Sequence, residues 1–238
     1  MRRLLLLLPL LAGLAHADEM PGMRMGSDMG MGDAIFAHAL LDQAEGRLGD
    51  RFRWDGQGWI GGDYDKLWVK SEGLASRGKV EDGQHEVLYD RAITAFFDAQ
   101  AGMRADLDSR ASREWAAFGV QGLAPYFLDV EATGYIGDGG RTAARFRLSY
   151  DLLLTRHLIL QPEAELDLYG SGDPARHIGA GLSDIDAGLR LRYEISRKLA
   201  PYAGISYRGA FGGTADYARR DGESTGDLRF VVGLRAWY

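Results

Sequence analysis

The sequence contains no cysteine. Disulfide staples, thiolate nucleophiles and thiolate metal sites are therefore excluded. Histidine is scarce as well. Beyond His16 there are only His38, His85, His157 and His177, and no two stand at a metal-ligand spacing. No apolar run after the first dozen and a half residues approaches the length of about 18 that a membrane-spanning helix requires. There is no phosphate loop, no dinucleotide fingerprint and no HExxH. A basic surplus is missing too: the formal net charge is −6, which argues against nucleic acid as a partner. Ser149 lies two residues from Asp151, but nothing in the sequence brings a histidine to them. The chain reads as a non-enzyme.

Proline is low, at 6 of 238 residues, while glycine is high, at 33. The glycines are spread throughout, so they fit a β-protein with many turns better than a disordered tract. The chain opens "MRRLLLLLPLLAGLAHA". Two arginines, a short leucine run and a small-x-small site at Ala15-His16-Ala17 describe a secretory signal peptide over residues 1–17. Residues 18–33 follow as a flexible tail, and 34–238 as the folded domain.

That domain alternates with a period of two. Ile185, Ala187, Leu189, Leu191, Tyr193 and Ile195 interleave with Asp186, Gly188, Arg190, Arg192 and Glu194. Ala144, Phe146, Leu148, Tyr150, Leu152 and Leu154 do the same with Arg145, Arg147, Ser149, Asp151 and Leu153. Such segments are β-strands with one apolar and one polar face. A soluble barrel would turn the apolar face inward, and an outer-membrane barrel turns it to lipid. Strand length, a polar face dense in both charge signs, and the ending "LRFVVGLRAWY" with its terminal aromatic favour the membrane form.

The expected fold is all-β: an antiparallel up-and-down transmembrane β-barrel of about 12 strands. Strands are expected near 34–44, 52–60, 65–73, 85–93, 97–108, 112–121, 125–136, 142–154, 158–170, 180–194, 198–209 and 227–238. Short links fall at 61–64, 94–96, 122–124, 155–157 and 196–197, and longer ones at 74–84, 137–141, 171–179 and 210–226. Residues 34–45 fit a short helix as well, and glycines interrupt 54–62. Two aromatic belts are expected. One lies near the short turns, with Phe96, Phe97, Tyr126, Phe127, Tyr193, Tyr202, Trp237 and Tyr238. The other lies near the long loops, with Trp115, Tyr135, Tyr169 and Tyr207.

Outside the barrel, "MPGMRMGSDMGMGD" holds five of the seven methionines: Met20, Met23, Met25, Met29 and Met31. Thioethers are soft, neutral ligands that suit Cu(I). The spacing lets a flexible chain wrap three sulfurs around one ion, with Asp28, Asp33 and His38 as harder ligands. The alternative is a linker without function. Within the barrel, Glu163, Glu165, Asp167, Asp184 and Asp186, with Asp129, Glu131 and Asp151, fall on the polar face. They form either a cation path or a set of ion pairs with Arg104, Arg145, Arg147, Arg190, Arg192, Arg229 and Arg235.

Several segments resemble the copper resistance protein B family of Gram-negative bacteria. They are "WIGGDYDKLWVKSEG" (59–73), "LYDRAITAFFDAQAGMR" (88–104), "GLAPYFLDVEATGYIG" (122–137), "LILQPEAELDLYG" (158–170), "GLSDIDAGLRLRYEI" (181–195) and "KLAPYAGISY" (198–207). The resemblance implies an outer-membrane protein that binds copper ions and aids their sequestration or export. The tail, lying between the signal cleavage site and the first strand, is expected in the periplasm, where a periplasmic copper protein would be its partner. Family members usually carry an N-terminal segment rich in Met, His and Asp. Here that segment is nearly histidine-free, which favours Cu(I) over Cu(II). A general porin or structural barrel without a metal role is the alternative.

Overall fold

The computed structural model describes residues 34–47, 51–76, 78–107, 111–196 and 198–238. The signal peptide, the tail and all five of its methionines lie outside the described residues. The elements in chain order are β1 (Phe36–Arg47), β2 (Arg51–Gly61), β3 (Asp65–Ser76), β4 (Lys79–Ala92), β5 (Phe97–Asp106), β6 (Arg113–Ala124), β7 (Leu128–Gly137), β8 (Thr142–Ser149), β9 (Leu152–Leu153), β10 (Leu158–Tyr169), β11 (Gly181–Tyr193), β12 (Leu199–Ala210), helix α1 (Gly212–Arg220) and β13 (Gly226–Trp237). Each strand pairs antiparallel with its neighbours, and β1 pairs with β13, so the sheet closes on itself. Both β8 and β9 pair with β10. They occupy one place in the wall, interrupted opposite Pro162, which has no N–H to give. Tyr150 N–H still reaches Pro162 O at 3.1 Å. The result is a closed barrel of twelve strands.

The barrel is inside-out by the standard of a soluble protein. On β4, Glu86, Leu88 and Asp90 are buried while the intervening Val87 and Tyr89 are about half exposed. On β13, Phe230 is 72% exposed and the next residue, Val231, 2%. Large apolar side chains cover the outside of every full-length strand, as lipid demands. Closure also uses the last residue. Ala39 and Tyr238 exchange two backbone hydrogen bonds of 2.9 Å.

Several expectations need correction. Residues 34–45 are not a helix; they lie in and just before β1. The glycines of β2 do not interrupt its ladder with β3. The long link expected over 74–84 is not there: β3 and β4 stay paired to Ser76 and Lys79. The glycine, serine and charged residues in that stretch belong to strands rising beyond the apolar band, where outward positions need not be apolar. The link expected at 122–124 is strand, and the turn is Pro125–Phe127. Trp115, Tyr135, Tyr169 and Tyr202 face the lumen and form no belt. Trp115, at 5% exposure, packs with Leu88, Ala117 and Tyr135, with Tyr169 against them. A Cβ on Gly137 would sit 2.6 Å from the Trp115 ring, so this glycine leaves the room that lets an inward indole lie flat on the wall. Tyr207 does face outward, as do Phe96, Tyr126, Phe127, Tyr193 and Tyr238 at the short-turn end.

Candidate functional site

Alternation alone places the functional side chains. On β10, Gln161, Glu163, Glu165 and Asp167 occupy successive inward positions, and on β8 Arg145 and Arg147 do so directly opposite. Arg145 donates from Nε to Asp167 Oδ1 at 2.9 Å and from Nη2 to Gln84 Oε1 at 2.6 Å, and also pairs with Glu72. Arg147 donates from Nε to Glu165 Oε2 at 2.7 Å, reaches Asp55 at 3.4 Å and shares Glu72. Arg190 donates to Glu45 at 3.0 Å and to Glu163 at 2.8 Å. Arg53 donates to Asp186 at 2.6 Å, Arg208 to Asp82 at 3.0 Å, and Lys70 to Glu131 at 2.9 Å.

Many of these bonds cross the lumen. On a ring of twelve places, β2 and β11 are four apart, as are β3 and β7, while β4 and β12 are five apart. Long guanidinium arms therefore bridge walls that share no backbone contact. A carboxylate in such a setting needs a partner, because stripping water from an unpaired charge costs several kcal/mol. The wall strands supply those partners from opposite sides.

Between the pairs lies a narrow cavity with about 30 Å3 of water-accessible room, in the half of the barrel away from Phe36 and Tyr238. Its lining includes the carboxylates of Glu72, Asp82, Glu165, Asp167, Asp184 and Asp186 against the guanidiniums of Arg53, Arg145 and Arg208. Six negative groups face three positive ones. The lining is therefore acidic in formal charge, and Arg147, bonded to both Glu72 and Glu165 just beyond it, offsets part of that surplus.

The expected path residues thus come together. Glu165, Asp167, Asp184 and Asp186 all line this one cavity. Glu163 stands apart from it, bound to Arg190 and to Gln43 Nε2 at 3.0 Å. The arginines expected to balance them do pair: Arg104 with Asp106, Arg192 with Asp151, Arg229 with Asp227, and Arg235 with Asp42. Reading the sequence passes over Arg53, Lys70, Glu72, Asp82 and Arg208. Their inward parity is present in β2, β3, β4 and β12, but glycines mask it in the first three.

Among the expected tail ligands, His38 alone is described. It pairs with Trp59 across the β1–β2 ladder, and their rings stack at 6.2 Å. Trp59 shares a face with Arg53, Asp55 and Gln57, so His38 looks into the lumen at the end where the chain enters the barrel. Trp68 lies tilted against Trp59 at 6.3 Å, and Lys66 Nζ lies 5.9 Å from the Trp59 ring centre. Among the described residues, no group of three or more His, Asp or Glu side chains is arranged to hold a metal ion.

With this geometry in hand, known proteins can be compared. The profile described as "Copper resistance protein B precursor (CopB)" matches residues 35–238. The chain is 48% identical over 206 residues to the copper resistance protein B homolog of Pseudomonas syringae pv. tomato, covering 87% of this chain and 70% of that protein. It is 44% identical over 208 residues to copper resistance protein B of Escherichia coli, covering 86% and 70%. Among solved structures, the NanC porin superposes with a TM-score of 0.53 at 12% identity, over 84% of this chain and 99% of that one. That likeness speaks for the barrel fold alone.

Proposed function

Because the chain belongs to the copper resistance protein B family, we propose that it serves copper resistance by capturing copper at the periplasmic end of an outer-membrane barrel and drawing it toward the acidic lumen. Copper is the cargo. The tail thioethers of Met20, Met23, Met25, Met29 and Met31 take Cu(I), the soft ion that neutral sulfur prefers. Asp28 adds a harder ligand. His38, five residues after the tail in sequence and facing the lumen, offers an imidazole at the next step. Delivery by a periplasmic copper protein fits a tail lying on that side. Glu165, Asp167, Asp184 and Asp186 supply the cation-attracting surface beyond.

The observation that carries this reading is the cavity with twice as many carboxylates as guanidiniums in a barrel of this family. The test is a Cu(I) titration of the refolded mature protein under a competing chelator, beside a version lacking residues 18–33. Loss of binding with the tail supports capture there. Undiminished binding moves the site into the barrel. A cell-based check replaces all five tail methionines by leucine. Copper tolerance of the host is expected to fall, and unchanged tolerance overturns the capture role.

A further inference from the structure

The link between β10 and β11, residues 170–180, is an external loop by position, yet two of its charged side chains are buried. Asp173 is 6% exposed and Arg176 5%. The reason is where they go. Arg113, at the start of β6, donates to Asp173 from Nε at 2.8 Å and from Nη2 at 3.1 Å. Arg141 approaches the same carboxylate at 3.9 Å. Arg176 donates to Ala111 O at 2.9 Å and lies 3.7 Å from Asp106, which also holds Arg104. The β5–β6 and β10–β11 links stand four places apart on the ring. A segment joined to both runs as a chord across the mouth.

The far end of the chord is held by α1. Gly179 N–H donates to Thr214 Oγ1 at 2.9 Å, and Thr214 Oγ1 meets Ser183 Oγ at 2.8 Å. A Cβ on Gly179 would lie 2.5 Å from Gly213 Cα, so the two backbones touch. His177 sits at φ 59, in the left-handed region, which histidine enters more readily than most side chains. Its ring stacks on Tyr217 at 5.3 Å and its Nδ1 lies 2.6 Å from Asp221 Oδ2. The segment makes only one isolated bridge of its own, between Asp173 and Ile178. Its position therefore depends on a few polar ties at each end.

We propose that residues 170–180 form a latched gate over the extracellular mouth, hinged on the α1 side and closed by the Arg113–Asp173 and Arg176–Asp106 pairs. The gate sits outside the copper reading and is tested without copper. The mature chain is reconstituted in planar bilayers in potassium chloride, and conductance is compared with Asp173→Asn, which keeps the shape and removes the charge. The wild type should stay near the bare-lipid level. The variant should conduct about tenfold more, the factor that about 1.4 kcal/mol gives in an equilibrium. Circular dichroism and heat-dependent gel migration confirm that the variant is folded.

The absence of native cysteine allows a second test that needs no loss of fold. Arg113→Cys with Asp173→Cys is either capped singly with N-ethylmaleimide or bridged with a short bifunctional maleimide. The capped form should conduct and the bridged form should be silent. A wild type as conductive as Asp173→Asn, a folded but silent Asp173→Asn, or equal currents from the capped and bridged forms overturns the gate.

Discussion

At the scale of the residue, Arg145 is the most consequential side chain in the lumen. It is 4% exposed and touches Glu72, Gln84, Glu165 and Asp167 from three different strands. Deleting its charge takes away the arginine of Asp167 and leaves Glu72 and Glu165 to Arg147 alone. Breaking a buried pair from one side costs about 3–5 kcal/mol, more than the pair itself contributes. Arg145→Met is therefore expected to lower the unfolding free energy by about 3 kcal/mol. Urea unfolding in detergent, followed by tryptophan fluorescence, checks this. Glu72→Gln should also destabilise, and the double variant should lose less than the two effects summed, because they share one network. Additive losses would mean that Arg145 and Glu72 act independently. The partnership of these two residues is not readable in the chain. They lie 73 positions apart, and alternation tells which face a residue takes but not its height or its partner across the ring. The same limit explains Trp115, Tyr135 and Tyr169. An aromatic near a strand end serves a lipid belt or a packed lumen equally well, and the deciding feature for Trp115 is a glycine on the neighbouring strand.

At the scale of the element, the strands were legible and the connections less so. A strand repeats one physical requirement every second residue, whereas a loop such as 170–180 has no repeat and is positioned by single contacts with β5, β6 and α1. One of those contacts carries a pH signature. The two hydrogen bonds from Arg113 hold the Asp173 carboxyl below its ordinary range, against the burial that pushes it up. Depression means that the contribution of Asp173 to closure is complete above the unfolded carboxylate value of about 4. It fades only as pH falls through the lower folded value. Arg141, Asp106 and Asp138 also face this site, and the arginines stay charged throughout. Conductance of the wild type is expected to remain low from neutral pH down to about 4 and to rise only below it. That of Asp173→Asn should show no such step. A rise near neutral pH would assign closure to another group.

The turn between β6 and β7 makes a different case. Tyr126 and Phe127 both take positive φ, 69° and 62°, and are 88% and 78% exposed. Two successive positive-φ positions suit Asn and Gly, and bulky residues there cost about 1 kcal/mol or more each. The aromatics are kept in spite of the strain, which fits anchoring at the lipid interface. Tyr126→Asn with Phe127→Gly should raise stability in detergent by about 1 kcal/mol while slowing insertion into preformed lipid vesicles. Faster insertion would remove the anchoring role.

At the scale of the whole molecule, the question is what an unlatched barrel would pass. An ordinary porin owes its permeability to an open aqueous lumen. A twelve-strand barrel is narrower, and here Arg53, Lys70, Arg145, Arg147, Arg190 and Arg208 span the interior. Vesicles carrying the wild type should therefore swell in uncharged sugars no faster than bare lipid, and fast swelling would favour the general-porin reading. Selectivity follows from charge balance. The cavity under the gate side presents six carboxylates to three guanidiniums, so its field draws cations and repels anions. With the Asp173→Asn barrel in a potassium chloride gradient, the reversal potential should lie toward the potassium equilibrium value. Neutralising Asp184 and Asp186 together should move it toward zero. The loss should be partial, because Glu72, Asp82, Glu165 and Asp167 still line the cavity. A reversal potential on the chloride side would show that the arginines govern the field. A lumen of that sign would hold back any copper cation arriving from the tail.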